Sequence, residues 1–204
     1  MTATAHPTAR LLIVGPQGSG KGTQSVRISE AYAIPGVSTG DIIRANIKEG
    51  TELGKKVTAI LEAGNLVSDE LTGALVRDRL SQPDAETGFL LDGYPRNAAQ
   101  VVQLDEYLAE SGTGLDAVIV LDIPREESFR RLTLRAAERG RSDDTDEGIA
   151  NRLDIYERET APILSAYGSR GIVDHIDGVG DLDEVSERIF AALSARGLVR
   201  TAAV

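Results

Sequence analysis

Gly15-Pro16-Gln17-Gly18-Ser19-Gly20-Lys21-Gly22-Thr23 is the stretch from which the rest of the chain can be read. It follows Arg10-Leu11-Leu12-Ile13-Val14, a short apolar run that reads as a buried strand, and precedes Gln24 to Tyr32, which reads as a helix. A strand, a glycine-rich turn and a helix start together form a cradle for phosphate. Glycines let successive backbone N–H groups converge on an anion, and the helix N-terminus adds about half a positive charge. Lys21 then reaches the outer phosphates of a bound nucleotide. The usual pattern places Ser or Thr directly after the lysine; here Gly22 intervenes, so Thr23 is the weaker candidate for a metal-side hydroxyl. A glycine-rich turn with a chance lysine is the alternative, and it leaves the order of strand, loop and helix unexplained.

Working outward, apolar runs that read as strands recur at Leu11–Val14, Phe89–Leu91, Val118–Ile123 and Ile172–Ile176, with a short fifth at Ile34–Ser38. Helix-like stretches separate them. This alternation predicts an α/β fold with a mostly parallel sheet covered on both faces. Ligands in such sheets sit beyond the carboxyl ends of the strands, which is where Gly15 to Thr23 and Asp92 to Arg96 fall. Ser38 to Val67 reads as a small helical insertion, punctuated by Gly50 and Gly54. A second interruption, about residues 138–148, is rich in Asp and Gly and lies between two helices.

The bulk numbers narrow the class. A chain of 204 residues suits one α/β domain with a small inserted piece. Hydrophobic residues make up 41%, which argues against disorder, and no run approaches the roughly 18 apolar residues of a membrane helix. Met1 to Ala9 lacks the basic and apolar regions of a secretory signal and reads as a loose tail. With no cysteine, disulfides and thiolate zinc sites are excluded, which fits a cytoplasmic protein. A net charge of -10 argues against general binding to nucleic acid or a membrane surface. Arginine supplies 18 of the 22 basic residues, so each one needs a positional argument of its own.

Phe89-Leu90-Leu91-Asp92-Gly93-Tyr94-Pro95-Arg96 sets a carboxylate and a guanidinium just past a buried strand. Asp92 is placed to hold a magnesium ion, through water, because Mg²⁺ keeps several waters and takes few carboxylates. Arg96 suits a bidentate clamp on a phosphate. A turn residue and a surface pair are the plainer readings of these two. Arg131, Arg135 and Arg139 are spaced four apart and share a face if their helix continues. Arg141 and Arg152 extend that track, although Glu127 and Glu138 could pair with Arg131 and Arg135 on an ordinary solvated face. Six cations converging on the cradle make sense if two polyphosphates must approach each other. One unit-charge pair 4 Å apart is worth about 4 kcal/mol at an effective dielectric near 20. Phosphoryl transfer depends on positioning and charge stabilisation, and a phosphate acceptor is already largely ionised at pH 7. His6 and His175 receive no role. Asp143 to Glu147 reads as a solvated loop, or as a latch in which Asp143 or Asp144 meets the arginines.

Taken together, these segments resemble adenylate kinase in its short-lid form, a member of the nucleoside monophosphate kinases. The likeness runs from Leu11 to about Leu193. It is carried in order by Gly20-Lys21-Gly22-Thr23-Gln24, Ser38-Thr39-Gly40-Asp41-Ile42-Ile43-Arg44 and Ala63-Gly64-Asn65-Leu66-Val67. Gly88 to Arg96 with Gln100, and Gly140-Arg141-Ser142-Asp143-Asp144 followed by Asn151-Arg152, complete it. The resemblance implies a P-loop NTPase-type five-stranded parallel sheet with helices on both faces, in a single domain spanning 1–204. Within it, the core takes about 10–37, 68–137 and 149–196, an NMP-binding insertion about 38–67, and a short lid about 138–148. It implies reversible Mg²⁺-dependent transfer of a phosphoryl group from ATP to AMP, giving two ADP, by a cytoplasmic monomer without structural zinc.

By the same resemblance, Gly18, Ser19, Gly20, Lys21, Gly22 and Thr23 bind the ATP phosphates, with Arg131, Arg135 and Arg139 on the ATP side or the lid. Gly180 passes near the ATP adenine. Thr39, Arg44, Asn65, Leu66, Val67, Gly93, Tyr94, Pro95, Arg96 and Gln100 match the AMP contacts, and Arg141 and Arg152 span both nucleotides. Lys21, Arg96, Arg131, Arg141 and Arg152 form the catalytic set. Whether Arg135 or Arg139 makes the main ATP contact stays open. Close relatives act on UMP and CMP; an amide such as Gln100 offers both donor and acceptor to an adenine edge, which favours AMP. A UMP/CMP kinase and a non-catalytic nucleotide-sensing module are the competing readings. All the arginines needed for transfer are present, and no further domain is available for an output signal.

Overall fold

The computed structural model describes residues 9–62, 67–139 and 146–201, except the side chains of 61 and 136–139. Five strands form one sheet: β1 (Ala9–Val14), β2 (Gly36–Ser38), β3 (Gly88–Asp92), β4 (Ala117–Asp122) and β5 (Val173–Asp177). Their spatial order is β2-β3-β1-β4-β5 and every pairing is parallel. β1 is central, with Leu12 opposite Leu91 on one side and Val118 on the other.

Burial explains why β1 reads as an unbroken apolar run. Alternate side chains of a strand point to opposite faces, and here both faces are covered. Leu11 and Ile13 pack with Ile28 and Tyr32 of α1 (Lys21–Tyr32) and with Val185, Ile189 and Leu193 of α9 (Leu182–Ala195). Leu12 and Val14 face the other layer. It is built from Leu75 and Val76 of α4 (Asp69–Leu80) and Val101, Leu104 and Leu108 of α5 (Ala98–Glu110). Leu11, Leu90 and Leu91 are all fully buried. The site-bearing loops therefore leave a sheet with very little freedom to shift.

The insertion is helical as expected, with α2 (Thr39–Glu49) and α3 (Glu52–Glu62) divided at Gly50. Two expectations need adjusting. The second strand begins at Gly36 rather than Ile34, because Pro35 has no N–H to give the ladder; its carbonyl still accepts from Leu90 N at 2.9 Å. After α6 (Arg125–Arg139) and α7 (Asp146–Ile155), the second long helix does not continue regularly. It widens into a π-helical turn, Tyr156–Thr160, closed by Ala161 N to Tyr156 O at 2.9 Å, and resumes as the short α8 (Ile163–Gly168). Pro162 lies at that junction, where a missing N–H and a ring would break an α-helical ladder. Leu132, Ile149 and Leu153 make a small separate core that fastens α6 to α7. Arg125 adds ion pairs to Asp154 and Glu157.

Candidate active site

The loop between β1 and α1 forms a cradle with its glycines in conformations other residues avoid. Gly20, directly before α1, has φ 96° and Gly18 φ 84°. A Cβ on Gly18 would also lie 3.0 Å from Ser128 O and 3.2 Å from Leu132 Cγ of α6, so the loop is pressed against that helix. The first N–H groups of a helix have no intrahelical partner, and in α1 these belong to the loop's own Lys21 and Gly22. Ser19 is 2% exposed, and its hydroxyl has no hydrogen-bond partner among the described residues. A buried, unpartnered hydroxyl inside an anion cradle is what a phosphate oxygen would satisfy.

Lys21 folds back over this loop, its Nζ donating to Gly15 O at 2.6 Å and Pro16 O at 2.9 Å. Burial pushes its ammonium down from an ordinary 10.5 to about 8, against the opposing pull of Asp92 and with a smaller push from Arg96. Asp92, at the end of β3, is shifted the other way: burial raises its carboxyl, while Lys21 and Arg96 hold it down. These three charges from two loops therefore share one field. A cleft of about 540 Å³ opens here, lined by Gly18, Gly20, Lys21, Gly22, Thr23, Asp92, Arg131 and Arg135 among others. An adjoining hollow of about 400 Å³ shares Gly22 and Asp92 with it and is lined by Ser38 and Asp41 at the start of α2.

Arg131 is held in place by three elements. Its Nε donates to Glu127 Oε1 at 2.6 Å, Nη1 to Gly18 O at 3.4 Å and Nη2 to Gly178 O at 3.2 Å. Glu127 also accepts from Arg130, and the two arginines draw its carboxyl down to about 2. Arg135 lines the same cleft one turn on. On the other side, Arg96 donates from Nε to Gly93 O at 2.7 Å and from Nη2 to Thr39 Oγ1 at 3.5 Å; Thr39 in turn donates to Gly93 O at 3.3 Å. Gly93 has φ 83°, and a Cβ there would sit 3.0 Å from Thr39 Oγ1 and 3.1 Å from Arg96 Nη2. Only glycine lets these two side chains meet over the loop.

The structure thus gathers Gly18, Ser19, Gly20, Lys21, Gly22, Thr23, Asp92, Arg131 and Arg135 about one cleft, with Thr39, Gly93, Arg96 and Gln100 clustered beside it. Other expected residues stand differently. Arg44 is exposed and pairs with Asp41 on its own helix at 2.5 Å. Arg152 donates from Nε to Gly148 O at 3.3 Å along α7 and is not among the cleft's lining. Tyr94 is 2% exposed and turns its hydroxyl to Gln103 Oε1 at 3.1 Å, so its side chain serves the core. Val67 packs against the same core. Gly180 has φ 134°, and a Cβ there would lie 2.5 Å from Glu184 Oε2. Asn65, Leu66, Arg141, Asp143 and Asp144 lie outside the described residues, as does the side chain of Arg139. His175 bonds Asp122 Oδ2 through Nδ1 at 2.7 Å across β5 and β4, exposed and without a part in the cleft.

Three contributors were not singled out from the sequence. Gly178 follows β5, and a Cβ there would meet Ile123 Cγ2 at 2.8 Å and Ser19 O at 3.6 Å. A glycine just past a parallel strand, at the edge where the cradle sits, was the available signal. Gln24 joins α1 to α9 through Leu182 O and Ser186 Oγ at 3.1 and 2.8 Å; a buried amide carries no sequence signal of its own. Asp69 accepts from both Asn97 and Gln100, and its signal was the Ser68-Asp69-Glu70 helix start.

Lys21 gives the cleft a pH dependence. With burial lowering Lys21 to about 8, the cradle is expected to lose a positive charge as pH rises past that value. Since an ammonium attracts an anion and a neutral amine does not, affinity of the cleft for inorganic triphosphate is expected to fall above a pH near 8. A bound phosphate favours the ammonium and moves its deprotonation to higher pH. Measuring triphosphate affinity against pH checks this: affinity flat to pH 10 would show that Lys21 does not lose its proton near 8 or takes no part in holding the anion.

A parallel α/β sheet with a glycine cradle, a buried lysine and a carboxylate at the end of the neighbouring strand defines a P-loop nucleotide-binding protein. Comparison with known proteins narrows this. The family model for adenylate kinase matches residues 13–172. An adenylate kinase of Clavibacter michiganensis subsp. michiganensis is 57% identical over 189 residues, covering 93% of this chain and 94% of that protein. One from Kocuria rhizophila is 54% identical over 184 residues, 90% of this chain and 98% of that one, and one from Bifidobacterium longum is 53% identical over 184 residues, 90% and 99%. The chain belongs to the adenylate kinase family, and it is a nucleoside monophosphate kinase.

Proposed function

We propose that this chain moves the terminal phosphoryl group of ATP to AMP, giving two ADP, with the roles divided between the two sides of the Asp92 end of β3. The carrying observation is one cleft lined by Lys21, Asp92, Arg131 and Arg135, with the Arg96 guanidinium close enough to act on both Lys21 and Asp92. Gly18 to Thr23 hold the ATP phosphates, their N–H groups and the helix N-terminus facing the anion. Lys21 leaves the Gly15 and Pro16 carbonyls for the outer phosphates. Arg131, already braced on Gly18 and Gly178, needs little reorganisation to stabilise charge on the transferring group, the condition under which such donors count most. Arg96, Thr39 and the Gly93 loop clamp the AMP phosphate, and Gln100 meets its base.

The residues present fit a magnesium ion. Asp92 is a single half-buried carboxylate, raised by burial, and no group of three potential ligands occurs among the described residues. Mg²⁺ takes one or two carboxylates, keeps waters and binds the rest through phosphates. Asp92 would hold it through water, with Thr23 a second candidate; when bound, the ion neutralises charge on the phosphate oxygens. Arg135 or Arg139 completes the ATP side, Gly180 borders the adenine, Arg44 and Asn65 to Val67 meet AMP from the insertion (38–67), and Arg141 of the lid (138–148) and Arg152 of α7 span both nucleotides. Among the described residues no helix is long and apolar enough to cross a membrane. With no cysteine, we place the enzyme in the cytoplasm, and from its family we take it to be a monomer.

Gln100 decides the choice between AMP and the pyrimidine monophosphates. Gln100→Leu keeps the volume and removes the amide, so KM for AMP is expected to rise at least about tenfold while KM for ATP stays within about twofold. Steady-state kinetics with each substrate varied in turn checks it; equal rises in both constants would refute the assignment.

A further inference from the structure

Gln100 is 5% exposed, and its amide is gripped from two sides. The Arg96 backbone N–H donates to Oε1 at 2.8 Å, and Nε2 donates to Asp69 Oδ1 at 2.6 Å. Turning the amide over would set its N–H group against the Arg96 N–H and its oxygen against a carboxylate. Asp69 is itself held in place. Asn97 Nδ2 donates to its two oxygens at 3.1 and 3.0 Å, while Asn97 Oδ1 accepts the Gln100 N–H at 3.0 Å and caps α5. Asp69 opens α4 directly after the Ser68 cap, so the network joins the starts of two helices that both flank the Tyr94–Arg96 loop.

An amide carries two N–H donors and two acceptor lone pairs. The two bonds use one of each. One donor and one acceptor remain, and their order is fixed by the grip. Adenine shows an amino donor at C6 beside an acceptor at N1. A 6-oxopurine shows the reverse, an acceptor at O6 beside an N1–H donor, and uracil repeats that reversed pattern at O4 and N3–H. An amide free to turn over can pair with either pattern, whereas one of fixed order pairs with one and leaves unmatched groups against the other. Buried mismatches of this kind are the ones that give strong discrimination.

We propose that Asp69 is a specificity-determining positioning residue: by locking the Gln100 amide in one orientation, it makes the monophosphate site select adenine over 6-oxopurines. This rests on the assignment of Gln100 to the AMP base. Asp69 touches no reacting atom; it acts through Gln100 alone. Its carboxylate matters because a hydrogen bond to a charged group is about twice as strong as a neutral one and because a carboxylate, unlike an amide, cannot donate to a flipped Gln100 oxygen.

The test uses the full chain with saturating ATP and Mg²⁺ and compares AMP with IMP, which carries the 6-oxo group and N1–H. Losing one charge-assisted bond corresponds to about a tenfold change, so Asp69→Asn is expected to lower the AMP-over-IMP ratio of kcat/KM about tenfold, with KM for ATP nearly unchanged. Asn97→Ser keeps a cap for α5 but frees Asp69, and should move the ratio in the same direction by a smaller factor. A merely structural role would raise KM for AMP and IMP together and leave the ratio alone; that result in either variant overturns the proposal. If Asp69→Asn does not fold, as read by circular dichroism, Asn97→Ser decides. Gln100→Leu separates the two failures. Equal effects on AMP and ATP would remove the base assignment, whereas a selective effect on AMP with an unmoved ratio in Asp69→Asn would remove this proposal alone.

Discussion

Lys21→Met is expected to lower kcat/KM by about 10³-fold or more while leaving the folded state as stable as before, or more so. The two halves of this result have one cause. Burial pushes the Lys21 ammonium down to about 8, which means the folded protein bears a cost for keeping that charge in place. Methionine has similar length and no charge, so the burial cost disappears, while the bonds to the Gly15 and Pro16 carbonyls and the smaller attraction to Asp92 are lost. For the reaction the exchange runs the other way. Removing a single pre-placed donor from a developing oxyanion costs about 10² to 10³ in rate, and loss of ground-state phosphate binding adds to it. Lys21→Arg should not restore activity, because a planar fork cannot replace a compact ammonium folded against two carbonyls. Thermal unfolding measured beside initial rates checks the account. A large fall in melting temperature accompanying the lost activity would mean that Lys21 braces the loop instead of serving the nucleotide.

Arg96→Met is expected to lower kcat/KM for AMP by about 10²- to 10³-fold, with a much smaller change in KM for ATP. Its guanidinium reaches Gly93 O and Thr39 Oγ1 and lies in the field of Asp92 and Lys21. Bidentate arginine pairs with phosphate are roughly twice as strong as neutral hydrogen bonds and fix geometry as well, and an arginine that neutralises transition-state charge in phosphoryl transfer is worth about 10³ to 10⁵. Arg96→Lys keeps the charge but not the fork and should recover no more than about tenfold of the loss. Varying AMP and ATP separately in the two variants distinguishes a phosphate clamp from a loop brace. A clamp changes the AMP term; a brace for the Gly93 loop would disturb both substrates and lower stability.

Much of this was legible in the sequence because the physics that writes it is local. A strand buried on both faces has to be apolar throughout, so Leu11 to Val14 and Phe89 to Leu91 could be read directly. The cradle needs glycine where φ is positive, so Gly18 and Gly20 stand out in any order of reading. The ends of elements were less legible where proline intervened, as at Pro35 and before Pro162, because the loss of one N–H acts on a partner that sequence does not name. The clustering of candidate residues was legible where a side chain itself lines the cleft, as with Lys21, Asp92 and Arg131. It was not where a side chain meets the cluster only through another, as Asp69 is bonded to Gln100, or where a backbone atom is the contact, as with Gly178 O and Arg131. Tyr94 shows the converse: it lies within a motif that carries the chemistry, yet its side chain belongs to the core, and only the backbone around it shapes the site.

The arrangement also explains why so many arginines here are already occupied. Arg131 is bonded to Glu127, Gly18 and Gly178, and Arg96 to Gly93 and Thr39. Long flexible cations left in water would lose side-chain entropy on meeting a ligand. Fixed beforehand against backbone carbonyls, they present their remaining N–H groups with that cost already met by folding.

The most direct measurement follows ADP, AMP and inorganic phosphate together after mixing the enzyme with Mg²⁺ and ATP plus AMP, UMP, CMP or GMP in turn. The account predicts two ADP formed for each AMP consumed, little free phosphate, AMP as the strongly preferred acceptor, and loss of turnover when Mg²⁺ is chelated. Equal rates with UMP or CMP, phosphate released in place of ADP, or tight nucleotide binding without turnover would contradict it.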